Sequence, residues 1–386
     1  MKDCEQIQMG FYEKGDDGET VLPVSYSEWE ERAKQKLAAG PFDYVNGAAG
    51  AGDTMKANSE AFQHYRIRPR VCRDITKRNL EITLFGNKYP VPILFAPIGV
   101  NSIVHSAAEV PPAKAAASLG VPYILSNVST EPMEKIAEVM GQSPRWFQLY
   151  PPKDKELTKS FLTRAEKSGF SAIVVTIDST LLGWREKDLR NTFLPFLKGE
   201  GMGNYFTDPV FLSMLDDPPE KDLTAACKKA LSEGNNTGFS WKDLEFIKQE
   251  TSLPVLIKGI THPDDALLAV EHGVDGIIVS NHGGRQLDGA IATLEALPSI
   301  CEAVEHRVPV LIDSGVRRGA DVIKALSLGA SAILIGRPYI YGLAVAGEKG
   351  VKAVVENLIA ETELQLAICG RKSISDLDQS LVIKVK

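Results

Sequence analysis

The chain has 386 residues, a formal net charge of −7 and 44% hydrophobic residues. These proportions are those of a folded globular protein, so they exclude disordered and collagen-like chains. An acidic chain without a long run of Lys and Arg does not suit a phosphate backbone, and we expect no nucleic acid partner. Since no apolar run approaches the roughly 20 residues that span a bilayer, we expect no membrane partner either.

The cysteines indicate an intracellular protein with reduced thiols. Five of them are spread along the chain without a CxxC pair, which is unlike a disulfide framework. The polar start of the sequence lacks the apolar region of a signal peptide. The last residues, Ile-Lys-Val-Lys, are not the peroxisomal Ser-Lys-Leu address. We therefore expect a cytoplasmic protein.

The first 90 residues precede the main repeating pattern of the chain. Their polarity pattern predicts a helix over 27–38 and a second helix over 43–47. It also predicts a hairpin over 80–89 that turns on Gly86 and Asn87.

Eight short apolar runs follow, each bounded by Gly, Pro or polar residues. The runs are 93–96, 122–125, 146–149, 172–176, 254–257, 276–279, 309–312 and 332–335. They are continuous, which is typical of parallel strands covered on both faces. Helical patterns lie between them, at 107–119, 132–140, 155–168, 263–272, 294–304 and 319–328. Eight strands alternating with helices predict an α/β fold of the (β/α)8 TIM barrel type. A doubly wound open sheet is the alternative, although no GxGxxG follows the first run.

The pattern predicts a single domain over residues 1–386. Residues 1–90 supply the N-terminal helices and the hairpin, residues 91–345 form the barrel, and residues 346–386 form a C-terminal helix and tail. Residues 179–253, after the fourth strand, make a connection far longer than the others. We expect this insertion to cover the active site, because barrel function lies on the βα loops. A disordered surface loop is the alternative.

Polar residues stand at the C-terminal ends of the predicted strands, where barrel enzymes carry their catalytic groups. His282, just beyond the sixth strand, is a candidate general base, and Asp178 at the end of the fourth strand can pair with it. Arg285 can hold a carboxylate with two hydrogen bonds. Lys258 ends the fifth strand, where a buried ammonium needs an anion. A reduced flavin and a Schiff base are both compatible with this lysine.

The loops after the last two strands indicate a phosphate site. Residues 313–319 and 336–338 combine Gly with Arg at the place where barrels often bind phosphate. Arg317 is the stronger candidate and Arg318 the weaker one, and solvated surface charges are the alternative for both. The remaining histidines lack the spacing of metal ligands, so we expect no metal site.

Nine segments taken together resemble the FMN-dependent family that oxidises 2-hydroxy acids. They are Asp43-Tyr44, Ala96-Pro97-Ile98-Gly99, Phe147-Gln148-Leu149-Tyr150, Val175-Thr176-Ile177-Asp178, Gly183-Trp184-Arg185, Ile257-Lys258-Gly259, the SNHGGRQ segment at 280–286, the DSGVRRG segment at 313–319 and Gly336-Arg337-Pro338. The resemblance runs from about residue 26 to the C-terminus, and SNHGGRQ is its most specific part.

The resemblance implies FMN as cofactor and a role for each matching residue. It places His282 as the base with Asp178 behind it, and Lys258 at the N1/O2 edge of the flavin. The residues implied around the substrate are Tyr44, Tyr150, Arg185 and Arg285, with Tyr205 of the insertion as a lid residue. Those implied around FMN are Pro97, Ile98, Gly99, Ser126, Gln148, Thr176, Ser280, Asp313, Ser314, Gly315, Arg317, Gly336 and Arg337.

Within the family, Gly99 and the segments at 182–189 and 194–209 resemble the lactate monooxygenase members. That resemblance implies oxidation of L-lactate with O2, followed by decarboxylation in the site to acetate, CO2 and water. The alternative is an oxidase that releases the keto acid and H2O2, on lactate or a larger hydroxy acid. Val128, where glycolate oxidase has Trp, leaves the size of the substrate open.

Two other classes of function remain open from the residues alone. One is a different phosphate-binding barrel, such as an aldolase with a Schiff base on Lys258, and the other is an inactive barrel that serves as a binding subunit. The family implies a homo-oligomer, a tetramer or an octamer.

Overall fold

The structure is a computed structural model that describes residues 3–13 and 22–385. The strands are β1 (Tyr65–Ile67), β2 (Ile82–Leu84), β3 (Asn87–Tyr89), β4 (Ile93–Phe95), β5 (Tyr123–Ser126), β6 (Arg145–Leu149), β7 (Ile173–Thr176), β8 (Val255–Ile260), β9 (Gly276–Val279), β10 (Val310–Ile312), β11 (Ala332–Ile335) and β12 (Val382–Lys384). The helices are α1 (Cys4–Glu13), α2 (Tyr26–Lys36), α3 (Ala39–Asn46), α4 (Asp53–Ala61), α5 (Val110–Leu119), α6 (Met133–Met140), α7 (Lys155–Lys167), α8 (Glu186–Arg190), α9 (Gly203–Phe206), α10 (Pro209–Ser213), α11 (Leu223–Gly234), α12 (Trp241–Gln249), α13 (Pro263–Glu271), α14 (Thr293–Val304), α15 (Gly319–Ser327) and α16 (Arg337–Ile368).

The eight predicted strands form one closed parallel barrel, in the order β4 to β11, with β11 pairing β4. The prediction of a (β/α)8 TIM barrel is confirmed, and the open sheet is wrong. The predicted strand bounds agree within one residue, except that β8 continues to Ile260. Lys258 therefore lies inside this strand, just before a register shift against β9.

The continuous apolar runs are explained by burial on both faces of the barrel. One residue from each strand fills the interior: Leu94, Ile124, Trp146, Val174, Leu256, Ile278, Leu311 and Leu334. The alternate residues, such as Ile93 and Phe95 in β4, pack outward against the helices. Neither face meets water, so no polar alternation is needed.

The hairpin β2–β3 packs against the N-terminal end of the barrel. Phe85 and Tyr89 contact the ring of Trp146 edge-on, with centroids 5.7 and 6.4 Å apart. Leu84 pairs with Asn87, so the turn residues are Phe85 and Gly86, whose φ values are 52° and 76°. The predicted turn at Gly86 and Asn87 is therefore one residue late. Two positive φ angles match the turn type that suits a right-handed hairpin twist.

Residues 179–253 are folded in the structure, contrary to the disordered alternative. They contain α8 to α12, and Phe196, Tyr205, Phe211 and Cys227 are buried among them. Helix α12 occupies the position of the barrel helix between β7 and β8. The insertion into the barrel is therefore the segment between β7 and α12.

The helix α16 is interrupted at Ala346 and Gly347, where φ changes to −147° and 58°. After it the chain returns to the N-terminal segment, and β12 pairs antiparallel with β1. This pairing was not predicted. Within the described residues, no helix is both long and apolar enough to cross a membrane. The five cysteines, all in the described part of the chain, are free thiols.

Glu109 connects the two loops that follow β4 and β5. Its buried carboxylate accepts backbone hydrogen bonds from Asn101 (3.1 Å), Thr130 (3.1 Å) and Glu131 (3.0 Å). Helix α5 begins only at Val110, three residues later than predicted, because Ala108 has a φ of 46°. Burial, which these donors only partly offset, raises the pKa of Glu109 to about 7.

We expect Glu109→Gln to change how stability depends on pH. A carboxyl with a folded pKa of about 7 and an ordinary value of 4.5 binds its proton more tightly in the folded chain. Its contribution to stability is therefore present below pH 4.5 and is lost as pH rises to about 7, by up to about 3 kcal/mol. The glutamine does not titrate. The free energy of unfolding, measured with urea at pH 5 and pH 8, should therefore fall more for the wild type than for this variant as pH rises. Equal falls in the two proteins would contradict the raised pKa of Glu109. Glu138→Gln, at an exposed position of α6, is the control.

Candidate active site

A cavity lies at the C-terminal end of the barrel, opposite the hairpin. Most of the predicted site residues line it: Tyr44, Pro97, Ile98, Gly99, Tyr150, Arg185, Tyr205, Lys258, His282, Arg285, Asp313, Ser314, Gly315, Arg317, Gly336 and Arg337. The others are not in the cavity wall, and four of them, Ser126, Gln148, Thr176 and Ser280, are nearly inaccessible to solvent. The last one, Asp178, contacts His282 directly.

His282 and Asp178 form the pair that the sequence predicts. Nδ1 of His282 lies 2.7 Å from Oδ1 of Asp178 and 2.9 Å from the hydroxyl of Ser179. With Nδ1 engaged by a carboxylate, the other ring nitrogen, Nε2, is the one left to accept a proton. His282 has a φ of 57°, an uncommon conformation for a residue other than glycine. Burial lowers the pKa of His282, against the opposing effect of Asp178, so the neutral ring is favoured.

Lys258 lies between two carboxylates. Its Nζ is 3.6 Å from Oδ2 of Asp178 and 3.5 Å from Oδ2 of Asp313. Burial alone would lower the pKa of Lys258, but the two carboxylates outweigh it and raise the pKa. Burial would likewise raise the pKa of Asp178, and Lys258 and His282 reverse that effect and lower it. A lysine held as an ammonium is a poor amine nucleophile, which argues against the Schiff-base alternative.

Glycine is required where β8 passes Asp178. A Cβ on Gly259 would lie 2.7 Å from the Cβ of Asp178, and the φ of Gly259 is 115°. The close approach brings Lys258 and Asp178 to neighbouring positions, since Thr176 and Lys258 are paired between β7 and β8.

Two arginines lie side by side at the cavity. Arg285 donates to the backbone oxygens of Tyr44 and Gly47, and its guanidinium lies 4.9 Å from the centre of the Tyr44 ring. Arg185 donates to the backbone oxygen of Arg285 at 3.1 Å. Burial, followed by the adjacent Arg185, lowers the pKa of Arg285 to about 9. The carboxylate of Asp188 makes only a long ion pair with Arg185, at 3.9 Å, so the two guanidiniums can still bind a further anion.

The buried polar atoms at the ends of β6 and β7 fit the flavin that the resemblance implies. Within the described residues, Nε2 of Gln148 and Oγ1 of Thr176 are buried and have no hydrogen-bond partner. The opposite end of the Gln148 amide accepts from Ser126 at 2.6 Å, which orients the amide. Unpaired buried polar groups are costly, so a polar ligand edge is expected against them. Gln148, Thr176 and Lys258 can supply the polar contacts of a flavin ring.

The loop after β10 fits the phosphate of FMN. Ser314 and Gly315 have φ values of 71° and 91°, and a Cβ on Gly315 would lie 2.2 Å from the backbone oxygen of Asn58. The N–H groups of 314–316 have no intramolecular partner in the described part of the chain. Consecutive N–H groups in a turn form an anion-binding concavity, and Arg317, stacked 4.4 Å over Tyr26, adds a positive charge.

Arg337 and Asp313 were both predicted to bind the phosphate, but their side chains already have partners within the protein. The guanidinium of Arg337 donates to the backbone oxygens of Val45, Gly47 and Gly283 at 3.0, 2.7 and 3.0 Å. Asp313 is engaged by Lys258 and by the hydroxyl of Ser314. Arg337 thus joins the N-terminal segment to the β9 loop, and Arg317 retains more donors for a phosphate.

The predicted lid residue Tyr205 is a fixed part of the wall. Its ring packs edge-on against Phe161 and Phe211, with centroids 5.2 Å away in both cases, and the side chain is 2% exposed. Its hydroxyl lies 3.5 Å from Nδ2 of Asn127. Such packing does not suit a flap that opens to solvent. Tyr150, by contrast, lies at the centre of the site, with its ring 6.4 Å from that of His282.

Three residues that the sequence interpretation did not assign also shape the site. Glu109 connects two of its loops, Asn127 contacts both Tyr150 and Tyr205, and Gln286 contacts Arg185. Gln286 is the last residue of the SNHGGRQ segment, so the sequence pattern did point to this residue. Asn127 directly follows a barrel strand, so its position was a signal too, whereas Glu109 gave none because its partners are backbone groups distant in sequence.

We expect Arg317→Met to weaken FMN binding about tenfold or more. A hydrogen bond to a charged group contributes roughly 1.5–3 kcal/mol, and the methionine keeps the apolar stem while removing the charge. FMN affinity is measured by fluorescence as the cofactor is released. The neighbouring Arg318→Met is the matched control, because Arg318 is exposed and does not line the cavity. Equal effects of the two substitutions would remove Arg317 from the phosphate site.

Known proteins resemble this chain over nearly its whole length. Residues 33–384 match the family described as FMN-dependent dehydrogenase. An L-lactate oxidase of Lysinibacillus sphaericus is 45% identical over 94% of this chain and 93% of its own length. 2-Hydroxyacid oxidase 1 of Homo sapiens is 39% identical, over 94% and 98%. The crystal structure of mandelate oxidase with (S)-2-phenylpropionate has a TM-score of 0.81 at 35% identity, over 92% and 97%. The chain therefore belongs to the FMN-dependent dehydrogenase family, and FMN is its cofactor.

Proposed function

We propose that this chain oxidises a small L-2-hydroxy acid with O2 and releases the 2-keto acid and H2O2. One observation carries the proposal: His282, held through Nδ1 by Asp178, shares a cavity with the paired guanidiniums of Arg185 and Arg285. A base and an anion site side by side are what removal of the hydroxyl proton of a 2-hydroxy carboxylate requires. The relative at 45% identity is named an L-lactate oxidase, which supports lactate as the first substrate to test.

His282 is proposed to take the hydroxyl proton at Nε2. Its Nδ1 faces the carboxylate of Asp178, which fixes the ring and stabilises the imidazolium that forms. The lowered pKa of His282 keeps the ring neutral, and so ready to accept a proton, at neutral pH. Asp178 is then a positioning residue with an electrostatic role.

Arg285 and Arg185 are proposed to bind the substrate carboxylate. Arg285 is fixed by the backbone oxygens of Tyr44 and Gly47, so it is oriented before the substrate arrives. Tyr44 and Tyr150 line the same cavity, and their hydroxyls are proposed to donate to the substrate. Burial raises the pKa of Tyr150 to about 12, which keeps its hydroxyl protonated as a donor.

Lys258 is proposed to offset negative charge at the flavin. Bound FMN would supply the acceptor for the hydride equivalent that leaves Cα of the substrate, with O2 as the final oxidant that is reduced to H2O2. The ammonium of Lys258 is already balanced by Asp178 and Asp313, so the buried charge is stable without the substrate.

The oxidase outcome is better supported than the decarboxylating monooxygenase that the sequence favours. The relatives reported above carry oxidase names. Gly99, the main argument for the monooxygenase, has a packing explanation: a Cβ there would lie 2.3 Å from the backbone oxygen of Val128. That oxygen also accepts a hydrogen bond from Val100 at 3.0 Å. Glycine is thus required by the close approach of two loops, whichever products are released.

We expect the wild type to convert L-lactate in air to pyruvate and H2O2 in a 1:1 ratio. Pyruvate and H2O2 are measured at early times with catalase omitted. Acetate is measured in parallel samples with catalase present, because free H2O2 converts pyruvate to acetate without an enzyme. Acetate and CO2 formed without free H2O2 would instead favour the monooxygenase. A protein that stays oxidised under anaerobic conditions with every 2-hydroxy acid tried would contradict the proposed function altogether.

We expect His282→Gln to lower kcat/KM by roughly 10² to 10⁴ while FMN stays bound, because general base catalysis typically contributes that much. The glutamine is similar in size but does not take up a proton. The measurement is steady-state turnover together with the flavin content of the purified variant. His306→Gln, at an exposed position after α14, is the control. A His282 variant with the wild-type rate would show that another group is the base.

A further inference from the structure

The side chain of Gln286 is the junction between the β9 loop and the start of the insertion. Its Nε2 donates to the backbone oxygens of Asp178 (3.0 Å) and Leu181 (2.7 Å). Its Oε1 accepts from Nη2 of Arg185 (2.8 Å) and from the backbone N–H of Gly183 (3.3 Å). A primary amide has two donors and two acceptor positions, so the hydrogen-bonding capacity of Gln286 is fully used.

The two backbone segments joined by Gln286 lie in very close contact. A Cβ on Gly183 would lie 2.4 Å from the backbone oxygen of Arg285 and 2.7 Å from that of Gln286. Nε of Arg185 donates to the same oxygen of Arg285 at 3.1 Å. Arg185 is therefore held by two neighbouring residues of the β9 loop, once by a backbone oxygen and once by the Gln286 side chain.

This arrangement keeps two like charges together. Arg185 is buried, Arg285 is half-buried, and the ion pair of Arg185 with Asp188 is long, at 3.9 Å. Their repulsion would favour a rotation of Arg185 away from Arg285. Gln286 opposes that rotation with a neutral acceptor, so the positive charge of the pair is not cancelled.

We infer that Gln286 is a positioning residue that holds Arg185 beside Arg285, so that both guanidiniums face the carboxylate of the substrate. This inference rests on the proposed function. A glutamate in the same place would accept from Arg185 equally well, but its charge would offset that of Arg185, and it would lose both donors to the backbone oxygens. The neutral amide is the group that orients the arginine and leaves its charge for the substrate.

The test uses the FMN-loaded enzyme with pyruvate and pyruvamide as probes. They differ in the carboxylate, and their binding is followed through the absorbance change of the flavin. Gln286→Met keeps the length of the side chain and removes its hydrogen bonds. We expect it to weaken pyruvate binding at least tenfold and pyruvamide binding less than threefold. In turnover of L-lactate, KM should rise at least tenfold, with a smaller fall in kcat.

Gln286→Glu provides a second variant that keeps the acceptor for Arg185. We expect it to weaken pyruvate binding at least as much as Gln286→Met does, again with little effect on pyruvamide. If the methionine variant does not retain FMN, the glutamate variant decides the question. Gln35→Met is the matched control, since Gln35 is exposed on α2 and its amide donates to Glu31, its one side-chain partner among the described residues.

The outcomes separate the two proposals. A variant that weakens pyruvate and pyruvamide equally has a general structural role, and this overturns the inference. Unchanged pyruvate binding in both variants overturns it as well. If the wild type oxidises no 2-hydroxy acid and binds neither probe, the proposed function fails together with the inference. If the wild type turns over L-lactate, any failure lies with Gln286 alone.

Discussion

The site depends on one buried carboxylate, that of Asp178. Its Oδ1 contacts the imidazole of His282, and its Oδ2 faces the ammonium of Lys258. Isolated, either the carboxylate or the ammonium would be costly at this depth. Together they fix the imidazole in the orientation that leaves Nε2 free, and they keep the lysine charged. Lys258 lies in β8, and Asp178 and His282 follow the adjacent strands β7 and β9, so the pairing of these strands in the barrel is what brings the three residues into contact.

The arginines of the site are held mainly by neutral groups. Arg285 and Arg337 donate to backbone oxygens of residues 44–47, and Arg185 donates to a backbone oxygen and to Gln286. Backbone oxygens satisfy the donors without cancelling the charge, which a carboxylate would do. The same contacts join the N-terminal segment, the insertion and the β9 loop. The same arginine hydrogen bonds thus join these three segments and leave the arginine charges available at the cavity.

Two glycines show how tightly the loops around the cavity are packed. Gly99 approaches the backbone of Val128, and Gly183 approaches that of Arg285, and in each case a Cβ would lie less than 2.5 Å from a backbone oxygen. Glu109 adds three backbone hydrogen bonds that hold the β4 and β5 loops together. A residue that looks like a determinant of chemistry in the sequence, as Gly99 does, is therefore also a requirement of packing.

Local pattern determined the barrel strands, because burial on both faces leaves a continuous apolar run that the sequence displays directly. It also placed His282, Asp178, Lys258 and Arg285 at one end of the barrel, since the C-terminal ends of parallel strands meet there. The tertiary structure alone decided the rest. The pairing of β1 with β12, the backbone partners of Glu109 and the fixed position of Tyr205 all depend on groups far apart in the sequence. Such contacts leave no periodicity in the chain, because they are made by single side chains against backbone that only the closed barrel brings near.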